Sequence, residues 1–99
     1  MIIIAGTFRI PSENLERARP IMAEMIRETR AEEGCEVYAF AEDLVEPGLI
    51  RVSEVWRDQA CLRAHAASAH MARWRASGAD LGVGDRNLTL YEASTARPL

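Results

Sequence analysis

The chain has 99 residues and a mass of 11.0 kDa, which is the size of one small domain and too short for a two-part dinucleotide-binding fold. Its 12 basic residues are all arginine, and they are outnumbered by 15 acidic residues. No segment contains a cluster of basic residues, which argues against nucleic-acid binding. No apolar segment approaches the ~20 residues that span a membrane. The apolar segment at the beginning of the sequence is shorter than the core of a signal peptide. We therefore expect one cytoplasmic domain over residues 1–99, with no membrane or nucleic-acid partner.

The first part of the chain predicts a strand, a helix and a second strand. Residues 2–10 are rich in β-branched side chains, which is typical of a strand. Ser12 is the expected cap of a helix whose apolar side chains recur every three or four residues. We expect this helix to kink at Pro20 and to end at Gly34. The second strand is predicted over residues 35–42.

The second part of the chain predicts a hairpin partner, a broken helix and a last strand. Residues 49–56 form the predicted third strand, which makes a hairpin with the second. Asp58 is placed to cap the next helix, and Ser68 is a second cap that predicts a break and a short further helix through residue 77. A glycine-rich loop then leads to a strand over residues 87–93.

The order of these elements is β-α-β-β-α-β, which predicts an α+β fold of the ferredoxin-like kind. Such a fold has a four-stranded antiparallel sheet with both helices on one face.

The strands carry apolar side chains on both faces of the predicted sheet. Ile2 and Ile4 point one way while Ile3 and Ala5 point the other, and the third strand repeats this pattern. A sheet that is covered on one face should instead alternate apolar and polar residues. Because two helices cover one face, we expect a homodimer that packs sheet to sheet; the alternative is a twisted sheet that its own helices cover more fully.

Glu54 and Trp56 lie two residues apart on a predicted strand and therefore project from the same face. A half-buried carboxylate beside an indole is either a packed anchor with an ion pair or the floor of a pocket. The arginines at positions 51, 57 and 73 are the candidate partners for the ion pair.

The two histidines, His65 and His70, fall in the second helical region. On one continuous helix they would lie about 140° apart, and no Cys, Asp or Glu cluster lies at ligand spacing, so we predict no metal site. A break at Ser68 is what would bring the two rings together. His65 shares a face with Leu62 and points toward the sheet, either as a satisfied core residue or as a proton acceptor in a pocket.

Three segments then occur in a characteristic order. They are E-G-C followed by a tyrosine at 33–38, a strand ending in E-x-W at 54–56, and L-x-x-H-x-x-S-x-H at 62–70. This ordered set resembles the antibiotic biosynthesis monooxygenase (ABM) family, especially its small quinol-monooxygenase-like members.

The resemblance implies a dimeric α/β barrel with a pocket in each subunit between the sheet and the helices. Some relatives oxygenate phenols or quinols with O₂ and use neither metal nor flavin. By position, His65 becomes the candidate base, Trp56 and Tyr38 shape the aromatic pocket, and His70 or Arg73 steadies developing negative charge.

Glu54 and Trp74 complete the predicted substrate-binding set.

Haem-degrading relatives use an asparagine on the first strand and a tryptophan and a histidine on the second helix. This chain has no asparagine on its first strand, and it has His65 at the tryptophan position and Arg75 at the histidine position. The resemblance therefore disfavours haem degradation. We therefore expect a cofactor-independent monooxygenase that oxidises a small aromatic phenol or quinol. The alternatives are a dimeric small-molecule-binding or stress-response module without turnover, and an isomerase or lyase on the same fold.

Overall fold

The chain folds into one antiparallel sheet with helices packed on one side. A computed structural model describes residues 1–99. The strands are β1 (Ile2–Arg9), β2 (Cys35–Glu42), β3 (Leu49–Trp56) and β4 (Gly84–Glu92), and the helices are α1 (Leu15–Arg30), α2 (Gln59–Ala66) and α3 (Ala69–Leu81). The strand order β2-β3-β1-β4, with neighbours antiparallel, confirms the predicted ferredoxin-like fold.

The ends of α1 differ from the sequence prediction. Ser12 does not cap the helix, because it begins a short 3-10 turn over Ser12–Asn14 and its side chain forms no capping hydrogen bond. The helix continues through Pro20 but stops at Arg30, four residues before the predicted end. Gly34 has a φ of 77°, a value that favours glycine, and it turns the chain into β2. Glu32 therefore lies on a turn, not on a helix.

Both caps predicted for the second helical region are confirmed. Asp58 accepts a hydrogen bond from the Cys61 amide at 2.9 Å, and this bond is the main cause that lowers the pKa of Asp58 to about 2. Ser68 Oγ accepts a hydrogen bond from the Met71 amide at 3.2 Å. The helix is thereby divided into α2 and α3 where the sequence predicts a break.

The predicted glycine loop is shorter than expected, because α3 continues past residue 77. Gly78 is buried inside this helix, where an added Cβ would lie 3.4 Å from a methyl group of Val83. Gly82, with a φ of 77°, is the residue that ends α3. The chain then enters β4 at once, three residues before the predicted start.

The main hydrophobic core lies on the face of the sheet that the helices cover. Its largest cluster joins strand residues to α1 and α3 and consists of Phe8, Ile10, Leu15, Ala18, Met22, Ile50, Val52 and Leu81. Burying a large apolar side chain of this kind stabilises the fold by about 1.5–3 kcal/mol. A second cluster surrounds Trp56, which is fully buried beside α2.

The opposite face of the sheet has no helix over it and carries an apolar row. The strand register aligns Val37, Val55, Ile3 and Tyr91 across all four strands. Val37 is 43% exposed and Tyr91 is 53% exposed, although both are large and apolar. The apolar character predicted for both faces is thus present in the folded chain. None of the helices combines the length and the apolar character that a membrane-spanning segment needs.

Candidate active site

A pocket of about 440 Å³ lies between the sheet and the helices α2 and α3. Its aromatic lining is Phe8, Tyr38, Phe40 and Trp74, and its charged or ionisable lining is Glu54, His65, Arg75 and Arg86. Small-molecule sites typically have volumes of about 300–1,000 Å³ and apolar walls with a few polar groups. This pocket therefore has the size and the lining expected for a small aromatic ligand.

His65 is the one histidine that lines this pocket. It lies in the last turn of α2, is 3% exposed, and packs against Trp56 with ring centroids 4.8 Å apart. Its Nδ1 lies 2.6 Å from Oε2 of Glu32. An ionised carboxylate only accepts hydrogen bonds, so when the ring is neutral Nδ1 carries its proton. The Nε2 atom is then the unprotonated nitrogen that remains for a ligand.

Glu32 reaches His65 because α1 ends early. The turn that carries Glu32 is fixed by two backbone hydrogen bonds, from the Glu32 amide to Thr29 and from the Cys35 amide to Glu32. The two side chains are 33 residues apart in sequence, so no local spacing pattern connects them. Sequence reasoning therefore missed Glu32, and its only local signal is its place in a charged segment just before Gly34.

Glu54 is 7% exposed and forms part of the pocket lining. Its Oε1 accepts a hydrogen bond from Nε1 of Trp56 at 2.9 Å. Burial raises the pKa of Glu54, while the Trp56 hydrogen bond and the charges of His65 and Arg86 oppose that rise.

The three arginines that we expected to pair with Glu54 have other partners. Each forms an ion pair with an acid outside the pocket: Arg51 with Asp43, Arg57 with Asp58, and Arg73 with Glu28. Glu54 therefore forms no ion pair with these arginines. Its partner is the indole of Trp56, two residues along the same strand.

Tyr38 is 3% exposed, lines the pocket and packs against His65, with ring centroids 5.3 Å apart. Burial, together with the negative charges of Glu54 and Glu32, raises the pKa of its phenol far above the ordinary value. A side-chain hydrogen bond with Thr29 opposes this rise, and the hydroxyl keeps its proton at neutral pH.

The other predicted site residues lie at different distances from the pocket. Trp74 lines it, as expected, whereas Trp56 is fully buried behind His65 and Glu54. His70 lies on the far side of His65, with ring centroids 5.9 Å apart. Arg73 lines a separate cleft between α1 and α3.

Two arginines of the pocket were not predicted as site residues. The Nη2 of Arg75 donates a hydrogen bond to the carbonyl of Ala66 at 2.7 Å, which holds this side chain across the junction of α2 and α3. Arg86 lies on β4, two residues before Leu88, and both line the pocket. The alternation of side chains along a strand places Arg86 on the same face as Leu88. The predicted strand begins at residue 87, however, and so leaves Arg86 out.

Comparison with known proteins agrees with the predicted resemblance. Residues 1–77 match the model of the antibiotic biosynthesis monooxygenase family, and the chain belongs to that family. The crystal structure of a candidate antibiotic biosynthesis monooxygenase from Deinococcus radiodurans is 29% identical, has a TM-score of 0.91, and is matched over 100% of this chain and 98% of that one.

Two curated relatives are also similar. YcnE of Bacillus subtilis, named as a candidate monooxygenase, is 27% identical over 81 residues, which are 82% of this chain and 85% of YcnE. An uncharacterized Synechocystis protein, sll1783, is 26% identical over 98 residues, which are 99% of this chain and 67% of that protein.

Proposed function

We propose that this chain is a monooxygenase that oxidises a small aromatic phenol or quinol with O₂ and needs no metal or flavin to do so. The observation that carries the proposal is the orientation of His65, whose Nδ1 is held by Glu32 while its ring lines an aromatic pocket. Membership of the family and the names of two relatives support oxygenase chemistry.

The first step is the removal of a proton from the hydroxyl group of the substrate. The hydroxyl donates its proton to Nε2 of His65, and the carboxylate of Glu32 stabilises the imidazolium that results. General-base catalysis of this kind contributes about 10²–10⁴-fold to a rate. The guanidinium of Arg86 supplies a positive charge for the phenolate that forms, and the ring of Tyr38 contributes to the aromatic wall.

The phenolate is itself the reductant in the second step. A phenol with a hydrogen on the reacting ring carbon combines with one O₂ to give a quinone and one water. One oxygen atom becomes the new carbonyl and the other leaves as water, whose two hydrogens are those lost from the phenol. The protein therefore needs to bind the ring, hold the proton and exclude bulk water.

Oxygen uptake with a panel of substituted phenols and quinols tests this proposal. We expect consumption of O₂ and, with ¹⁸O₂, one labelled oxygen atom in the product. His65→Gln should lower the rate by about 10²–10⁴-fold. Arg63→Gln, on the exposed side of the same helix, is the matched control and should leave the rate unchanged.

Two outcomes would contradict the proposal in different ways. Equal rates for the wild type and His65→Gln would remove His65 as the base. Protection from thermal unfolding by a phenol with no oxygen consumption would instead support the binding-module alternative.

We also propose that the chain is a homodimer that packs through the uncovered face of its sheet. The supporting observation is the apolar row of Ile3, Val37, Val55 and Tyr91, in which Val37 and Tyr91 are exposed and the two central residues are half-buried. A second copy of the same face would cover this row on both chains.

A further inference from the structure

We propose that Glu32, His65 and His70 form a binding site for a divalent first-row transition-metal ion. Each of the three residues offers one ligand atom, and these atoms lie within 4.8 Å of one another. This site goes beyond the proposed oxygenase chemistry, which uses none of these residues as a metal ligand.

One of the distances between the ligand atoms matches that around a bound ion, and the other is shorter because the two atoms share a hydrogen bond. Oε2 of Glu32 lies 2.6 Å from Nδ1 of His65 and 3.3 Å from Nε2 of His70. Ligand atoms at about 2.0–2.2 Å from a tetrahedral ion lie roughly 3.3–3.6 Å from one another. Small side-chain movements would therefore bring all three atoms to ligand distance.

His70 provides an independent sign of a missing partner. The Nε2 atom of His70 is buried and has no hydrogen-bond partner. The carboxylate of Glu32 lies 3.3 Å away, but the two groups are not aligned for a hydrogen bond. Buried polar atoms are nearly always paired, so an unpaired one calls for a ligand, a water or an ion. An ion held at this position would accept the lone pair of Nε2.

The break between α2 and α3 is what creates the site. His65 lies in the last turn of α2 and His70 in the first turn of α3, so the chain changes direction between them. On a continuous helix the two rings would point about 140° apart, which was the reason to predict no chelation. Glu32 then approaches from the turn after α1 and supplies the carboxylate that local sequence spacing lacked.

The chemistry of the donors defines the class of ion. Two imidazole nitrogens and one carboxylate oxygen suit zinc, iron, cobalt, nickel or copper, whereas magnesium and calcium prefer oxygen ligands alone. Three protein ligands leave at least one coordination position open for water or a small ligand.

A path to the site runs between α1 and α3. A cleft of about 210 Å³ is lined by His70 and by Glu24, Glu28 and Arg73. Arg73 is held by Glu28 at 2.7 Å, so Glu24 contributes a negative charge that this pair does not neutralise. A cation can therefore approach His70 from the side away from the aromatic pocket.

Metal binding and the proposed base role of His65 exclude each other. A metal ion on Nδ1 of His65 replaces the proton through which Nδ1 hydrogen-bonds to Glu32. The neutral ring then carries its proton on Nε2. That nitrogen can no longer accept a proton from a phenol in the pocket. Bound metal should therefore inhibit the oxygenase.

Titration of the chelator-treated protein with Co²⁺ and Zn²⁺ tests the site directly. We expect one ion per chain by calorimetry and visible absorption bands of Co²⁺ typical of nitrogen and oxygen ligands. Glu32→Gln and His70→Ala should each weaken binding by at least about tenfold. Glu33→Gln makes the same chemical change one residue away, on an exposed side chain, and should leave binding unchanged.

Three results would overturn the proposal, none of which depends on oxygenase activity. The first is the absence of stoichiometric binding by wild-type protein that is folded by circular dichroism. The second is equal binding by folded Glu32→Gln or His70→Ala and the wild type. The third is an intense near-ultraviolet charge-transfer band, which would place Co²⁺ on the free thiols of Cys35 or Cys61 instead.

Discussion

At the scale of single residues, the contact of Glu32 with His65 occupies Nδ1 and leaves Nε2 as the free ring nitrogen. A carboxylate on Nδ1 fixes the ring orientation and the tautomer, and it stabilises the positive charge that forms when Nε2 takes a proton. Glu32 does not line the pocket, so it is a positioning residue and not a binding one.

Glu32→Gln should therefore lower kcat of the oxygenase reaction by at least about tenfold and leave KM for the phenol nearly unchanged. The amide can still contact Nδ1 but carries no charge to stabilise the imidazolium. Steady-state oxygen uptake separates the two constants, and Glu33→Gln is the control. A rise in KM at constant kcat would instead indicate that Glu32 helps to shape the pocket.

Glu54 gives a prediction about stability, because burial raises the pKa of its carboxyl group. The folded state then favours the neutral form more than the unfolded state does. The resulting stabilisation is present below the unfolded pKa and is lost as the pH rises through the folded pKa. At neutral pH the buried charge is a cost.

Glu54→Gln removes this cost and can keep the hydrogen bond from Trp56. We expect the stability that the variant gains over the wild type to be larger at pH 7 than under acidic conditions. Urea unfolding of both proteins across this range measures the difference. A difference that does not change with pH would mean that Glu54 has the same pKa in the folded and unfolded states.

At the scale of elements, the junction of α2 and α3 positions the histidines. Ser68 stabilises this junction twice, since its Oγ accepts a hydrogen bond from the Met71 amide and donates one to the carbonyl of His65. The hydroxyl satisfies one of the orphan amides at the start of α3.

Ser68→Ala should cost about 1 kcal/mol of folding free energy, because α3 loses its N-cap. Chemical denaturation measures this loss. Ser77→Ala, within the same helix and without a side-chain hydrogen bond, is the matched control and should change stability by less than about 0.5 kcal/mol. Equal effects of the two substitutions would show that the cap of α3 contributes nothing measurable.

At the scale of the whole molecule, the sheet has one covered face and one uncovered face with an apolar row. Exposed contiguous apolar surface of this kind marks association sites in soluble proteins. We expect light scattering at micromolar concentration to give twice the chain mass of 11.0 kDa.

Val55→Arg, at the centre of the apolar row, should shift that mass to one chain, because an unpaired buried charge is costly at an interface. Leu44→Arg is the control, since Leu44 is fully exposed in the loop between β2 and β3. A wild-type mass near 11.0 kDa would remove the proposed sheet-to-sheet dimer.

The order of the elements, both caps of the second helical region and the apolar character of both sheet faces could be predicted from the sequence. These features rest on local rules, namely the periods of strands and helices and the preference of Asp58 and Ser68 for N-cap positions. The family resemblance could also be recognised from the sequence, because the three motifs keep their order along the chain.

Which side chains come into contact is visible in the folded chain alone. The early end of α1 places Glu32 beside His65 across 33 positions of sequence, and the Arg51, Arg57 and Arg73 side chains pair with acids outside the pocket. Such contacts depend on where a helix stops and how a turn points, which no local period encodes. The proposed chemistry of this chain therefore depends on a long-range contact that its sequence pattern does not record.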